Sequence, residues 1–216
     1  MASKKEHFVT CGQMKLLEQR ADADGLSYYQ MMENAGTAAY HILRQRVPHA
    51  KHIAVVAGKG NNGGDGFVMA RLAAQDGLSV TVILAEGEPV TRDAKTNYAL
   101  LHTLPVTIQT TDTVRSIHAD VVVDALYGTG FHGSLRPSRQ KACDFMRTSG
   151  AYVLALDVPS GLQADTGIAA DGAVKAQCTV AFDSYKQVHI APAAAAFCGT
   201  VVLADIGVPD ACHPHA

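Results

Sequence analysis

Long hydrophobic runs, paired cysteines and a strong charge imbalance are all missing from this sequence of 216 residues. No apolar stretch approaches the ~20 residues a helix needs to span a bilayer. The opening MASKKEHFVT also lacks the apolar centre of a signal peptide. Five cysteines (Cys11, Cys143, Cys178, Cys198, Cys212) form no C-x-x-C pair. Reduced thiols in a cytoplasmic protein are therefore expected, not a disulfide framework or a zinc site. A net charge of −2 offers no electrostatic footprint for nucleic acid or an anionic membrane surface. Repeats, linkers and low-complexity segments are absent apart from a short alanine run at 193–196. His213 and His215 have metal-ligand chemistry, but a frayed, solvated tail is the expectation there.

What remains is an ordinary apolar content of 48%, enough for one domain with a sizeable core. Apolar residues recur at helical intervals over 11–23 (Met14, Leu17, Ala21) and 29–46 (Met31, Ala35, Ala38, Ile42). Asp24-Gly25 separates the two helices, and Pro48 stops the second. Met31-Met32 reads as core or interface filler. Glu33 and Asn34, set between apolar neighbours, are either solvated or turned to a ligand. Beyond them, short apolar strands at 53–57, 79–85, 105–109, 119–127, 151–156, 178–182 and 200–204 alternate with helices at 66–75, 92–102 and 139–148. That alternation predicts α/β architecture: a Rossmann-like three-layer α/β/α sandwich with a mostly parallel sheet in a single domain. Ligands of such sheets lie beyond the carboxyl ends of the strands. Three polar segments, 58–66, 124–134 and 157–161, each follow a strand on that side.

The first of them, AGKGNNGGDG, is predicted to be a glycine-rich turn feeding a helix that opens near Asp65, an arrangement suited to an anion. Gly58, Gly60 and Gly63 satisfy G-x-G-x-x-G, a pattern of low specificity. Asn61-Asn62 and Asp65 add amide and carboxylate oxygens that a plain phosphate loop does not need. A P-loop is disfavoured because the Lys-Ser/Thr pair is missing. Asp124, inside the apolar VVVDAL, is either a loop anchor accepting backbone N–H groups or a ligand for a cation or substrate. Asp157, in LALDVPSG, is either a turn anchor or a rigidly held acid/base. Asn62, Asp124 and Ser160 offer only oxygen donors, which suits a hard cation of low charge.

AGKGNNGGDGFVMAR, VVDALYGTG, LDVPSGLQADTG and GTVVLADIGVP, in that order, resemble the N-terminal YjeF-type domain, the NAD(P)H-hydrate epimerase family. The likeness covers roughly residues 13–209, flanked by short tails expected to be flexible. It implies an isomerase that interconverts the epimers of hydrated NADH and NADPH. It further implies dinucleotide binding by Asn61, Asn62, Gly63, Gly64 and Asp65, by Gly128, Thr129, Gly130, Phe131, His132, Gly133 and Ser134, and by Asp157. Potassium would be held by Asn62, Asp124 and Ser160, with Asp157 as the acid/base. A homodimer is the family expectation. A second, ATP- or ADP-dependent dehydratase domain is expected to be absent, leaving that step to a separate dehydratase. Where relatives carry Lys or Arg in the second loop this chain has His132. Lys186 stands before Gln187-Val188 where the family often has Pro-Gly, and it is either an anchor or a solvated surface charge.

Two rivals remain open on the sequence. An NAD(P)-dependent oxidoreductase would use Glu86, at the end of the second strand, to hold a ribose. A non-catalytic nucleotide-binding scaffold would keep the pocket without turnover.

Overall fold

The computed structural model describes residues 6–213. Its centre is a seven-stranded sheet of order β3-β2-β1-β4-β5-β6-β7. The strands are β1 (His52–Ala57), β2 (Ser79–Leu84), β3 (Val106–Thr110), β4 (Val121–Ala125), β5 (Tyr152–Leu156), β6 (Cys178–Phe182) and β7 (Thr200–Ala204). Every pairing in it is parallel, so the predicted mostly parallel sheet is a wholly parallel one. The order runs outward from β1 to β3 and then restarts at β4 on the other side. That reversal makes the β1/β4 junction the switch point, where the loops leaving two adjacent strands part and open a crevice.

The helices are α1 (Cys11–Ala23), α2 (Tyr28–Arg46), α3 (Asn61–Gln75), α4 (Arg92–Leu101), α5 (Pro137–Thr148), and the short α6 (Gln187–Ile190) and α7 (Ala195–Cys198). Because side chains alternate across a strand, each buried strand feeds two cores. Ile53, Val55, Val121 and Val123 pack with α1 to α4 through residues such as Leu17, Met31, Phe67 and Ala94. Ala54, Val56, Val122 and Ala155 face the opposite way, onto Ala142, Cys143 and Met146 of α5. Near-continuous apolar strands are thus required by burial on both faces. Asp124 shares the α5 face with Val122, two residues away, which puts a carboxylate inside a dry layer.

Helix α1 lies outside the strand–helix alternation. Thr10 caps it through a reciprocal capping box with Gln13, and Met14, Leu17 and Ala21 are its buried stripe. The segment before it is tied to the fold, since Val9 N–H donates to Tyr185 O and Tyr185 N–H to His7 O. At the other end, His213 is buried and bonded to Asp183 at 2.8 Å, which corrects the expectation of a frayed tail at that residue. His215 lies outside the described residues. Glu33 and Asn34 are half-buried: Glu33 pairs with Arg71 of α3, and Asn34 donates to Ile206 O. Among the described residues no helix is long and apolar enough to cross a membrane.

Candidate active site

A cavity of about 580 Å³ opens at the carboxyl ends of β1 and β4 and beneath α1 and α2. The start of α3, the segment after β4, Asp157 after β5 and Lys186 after β6 all line it. Met31 and Met32, read as core or interface filler, are buried and supply part of its apolar wall.

Asp157 sits in an unusual turn. Its φ is +61°, and Val158 N–H donates to Leu156 O across it, which makes it the centre of a γ-turn. The same device recurs one strand over, at Asp183 (φ +60°) with Ser184 N–H to Phe182 O. A positive φ at a non-glycine residue costs roughly 1–3 kcal/mol and persists only where surroundings over-determine it. At Asp157 the surroundings are plain. Lys186 Nζ donates to its carboxylate at 2.7 Å and to Phe182 O at 2.9 Å. His189 Nε2–H donates to its main-chain oxygen at 2.7 Å. Lys186 N–H donates to His189 Nδ1, so the ring is a neutral Nε2–H tautomer. Burial, and then the Lys186 ammonium, hold that histidine down to about 4. Burial alone would raise the Asp157 carboxyl, but the Lys186 ammonium outweighs it and holds it below the usual carboxylate range. Lys186 is only 1% exposed, so it is an anchor and not a solvated surface charge.

Asp124 and Ser160 meet directly. Ser160 donates its N–H to Asp124 Oδ2 at 2.7 Å and its hydroxyl to Oδ1 at 2.6 Å. Leu126 N–H reaches Oδ1 at 3.3 Å, and Tyr127 N–H donates to Ser160 Oγ. The loop-anchor half of the two readings of Asp124 is therefore present. Yet Asp124 is fully enclosed, and among the described residues no cation pairs with it. Burial pushes its carboxyl up to about 6 despite these hydrogen bonds. Among the described residues Asn62 makes no hydrogen bond to either Asp124 or Ser160. Its Oδ1 lies 3.2 Å from where a side chain on Gly128 would begin, as does Asp157 Oδ2. Asn62 Nδ2 is enclosed without an acceptor, and so is Thr91 Oγ1 across the cavity.

The glycine-rich segment departs from the predicted turn. Helix α3 begins at Asn61, with Gly60 as N-cap, so Asn61 to Asp65 form its first turns. The glycines here serve packing more than ligand approach. A Cβ on Gly63 would lie 2.0 Å from Gly58 O, one on Gly58 2.1 Å from Leu126 O, and one on Gly64 2.5 Å from Met32 Sδ. Gly63 and Gly64 are accordingly buried and do not line the cavity. Asn61, Asn62 and Asp65 do line it, and the first N–H groups of a helix have no partner within it, so the anion cradle survives in altered form. Of the second predicted loop, Gly128, Thr129 and Gly130 line the cavity. Phe131 turns into the α5-side core against Tyr127, and His132, Gly133 and Ser134 are exposed outside it.

Of the lining residues, Glu18 and Arg139 were not read from the sequence as site residues. Glu18 projects from α1 into the cavity, and burial, followed by the charge of Asp157, pushes its carboxyl up to about 7. Its place was legible: with Met14, Leu17 and Ala21 it completes one helical stripe. Asp65 is likewise raised well above its ordinary value by burial and by Asp157. At the far wall Arg139 pairs with Glu86 at 2.5 Å, Tyr127 Oη donates to Glu86, and the guanidinium lies over the Tyr127 ring. The carboxylate that an ordinary dinucleotide fingerprint would turn to a ribose is thus already engaged.

Fold and cavity together define a doubly wound α/β domain with a ligand crevice at its switch point. The family model described as YjeF-related protein N-terminus matches residues 28–188, and this chain belongs to that family. A bifunctional NAD(P)H-hydrate repair enzyme Nnr of Coxiella burnetii is 38% identical over 92% of this chain and 41% of its own length. The chain spans about two fifths of such bifunctional relatives. The NAD(P)H-hydrate epimerase of Cenarchaeum symbiosum is 35% identical over 93% of this chain and 95% of its own. That of Pirellula staleyi is 36% identical over 91% of each. The crystal structure of yeast ynu0 shares the fold, with a TM-score of 0.73 at 22% identity over 84% of this chain and 82% of that one.

Proposed function

We propose that this chain is an NAD(P)H-hydrate epimerase, an isomerase that interconverts the R and S forms of hydrated NADH and NADPH. The observation that carries the reading is an Asp157 carboxylate locked in the ionised state by buried Lys186 and aimed into a cavity beside a helix N-terminus. The hydrate bears its hydroxyl on the carbon beside the ring nitrogen. When the hydroxyl takes up a proton and leaves as water, the nitrogen lone pair forms an iminium. Water re-adding to either face releases one proton, so the cycle is redox-neutral. An ionised carboxylate suits this twice, balancing the iminium charge and accepting the proton of the incoming water. The start of α3 suits the pyrophosphate.

The same reading includes potassium. Asp124, Ser160 and Asn62 offer oxygens only, and a fully buried carboxylate without a cationic partner fits a singly charged ion. Bound there, the ion would supply fixed positive charge next to the substrate loops. A homodimer, a cytoplasmic setting and a separate dehydratase belong to the reading as well.

Two experiments test it. Separated hydrate epimers should re-equilibrate faster with the protein, followed by chiral chromatography, and Asp157→Asn should slow this by on the order of a hundredfold or more. An unchanged epimer ratio with wild-type protein defeats the assignment. For the ion, melting in potassium should exceed melting in a large organic cation at equal ionic strength, with the difference lost in Asp124→Asn. Equal melting temperatures remove potassium from the account.

A further inference from the structure

Glu18 has no job in the fold that a glutamate alone could fill. It sits on the inward edge of α1, between buried Met14 and Ala21, where an apolar residue would pack at lower cost. Its side chain has no hydrogen-bond or ion-pair partner among the described residues, yet it lines the cavity together with Asp157, Lys186 and Asp65. The charges that reach it are those of Asp157, Lys186 and Asp183, and it acts in turn on Asp65 and Tyr28. Asp157 is committed as an ion by Lys186, and so is a poor source of a proton. Asp65 is enclosed on α3, where burial and then the charge of Asp157 raise its carboxyl well above the ordinary range. Of these carboxyls only Glu18 reaches the cavity from its roof. Glu18 is held near neutrality, where a carboxyl gives and regains a proton with equal ease.

We infer that Glu18 is the proton donor to the departing hydroxyl, an inference that rests on the epimerase reading. In the step, the O–H bond of the Glu18 carboxyl breaks as a new O–H bond forms on the hydrate hydroxyl. The C–O bond then cleaves, the ring nitrogen lone pair becomes the second bond of the iminium, and water departs. Water adding to the iminium gives up one proton to Asp157, which passes it through solvent in the cavity to the Glu18 carboxylate, and the enzyme is reset.

The test is the pH profile of hydrate epimerisation. An acid must be protonated to act, so the wild-type kcat should fall as pH rises through about 7. Glu18→Gln should lower kcat on the order of 10²–10⁴-fold and abolish that alkaline limb, with KM and NAD⁺ binding little changed. Glu18→Asp should keep the limb. A Glu18→Gln enzyme with wild-type kcat and an intact limb overturns the inference. If that variant fails to fold, infrared titration of ¹³C-glutamate-labelled wild type decides: a carboxylic acid band with midpoint near 7 supports the assignment, and no glutamate titrating above the ordinary range refutes it. Wild-type protein inactive on hydrates would defeat the epimerase reading instead, while the infrared result would still report on Glu18.

Discussion

Asp157 meets two demands that normally conflict: it must be buried, and it must stay charged. Lys186 resolves them, and the strained turn fixes where the charge points. Removing one partner of such a pair leaves the other uncompensated in a dry site, at a cost of roughly 3–5 kcal/mol. Lys186→Met is therefore expected to lose stability of that order in denaturant unfolding. Replacing both residues, with Asp157→Asn added, should recover part of the loss. A Lys186→Met protein as stable as wild type would show that the pair does not hold the turn. The sign with pH follows from the depressed carboxyl: the contribution of Asp157 is present above its unfolded value, near ~3.9, and is lost as pH falls through the lower folded value. Asp157 and Ser160 were legible because proline and glycine mark the LDVPSG turn. Lys186 stayed open between anchor and surface charge, since nothing local says that a lysine after β6 runs back across the sheet edge to β5. Glu18 was legible in principle, being the one charged member of an apolar stripe.

Among the elements, α3 shows most clearly where local signals mislead. NNGGDG reads as a turn, because each glycine within a helix costs about 1 kcal/mol relative to alanine. Tertiary contact overrides that preference. The main chain of α3 must cross Gly58 so closely that a Cβ on Gly63 would stand 2.0 Å from a carbonyl oxygen, and only a helix start built of glycine fits. Gly63→Ala is accordingly expected to cost about 1–3 kcal/mol through overpacking, and to weaken nucleotide binding by displacing the open N–H groups. A thermal melt and an NAD⁺ titration check both; a variant unchanged in melting but weakened in binding would return these glycines to a ligand-approach role, and one unchanged in each would contradict the packing account. The neighbouring loop teaches the complementary lesson. Gly128 to Gly130 reach the cavity while His132 to Ser134 do not, because burial of Phe131 in the α5-side core turns the chain away. A list of small residues does not reveal where such a turn falls.

At the scale of the whole molecule, strand patterning alone predicted the parallel sheet, since burial on both faces demands continuous apolar strands. It also placed the polar segments at the correct ends of the strands. What it could not supply was the roof: α1 stands outside the alternation, and its docking turns an open crevice into a cavity carrying Glu18 opposite Asp157. This set of carboxylates, with Lys186 paired to Asp157, suits a reaction that passes through a cation and exchanges water. The most direct measurement is epimerisation of a purified hydrate epimer in H₂¹⁸O, with mass and stereochemistry followed together. Protein-dependent inversion accompanied by ¹⁸O uptake into the hydrate, at a rate no slower than inversion, is the predicted result. Inversion with the original oxygen retained, or no protein-dependent inversion at all, would contradict the account.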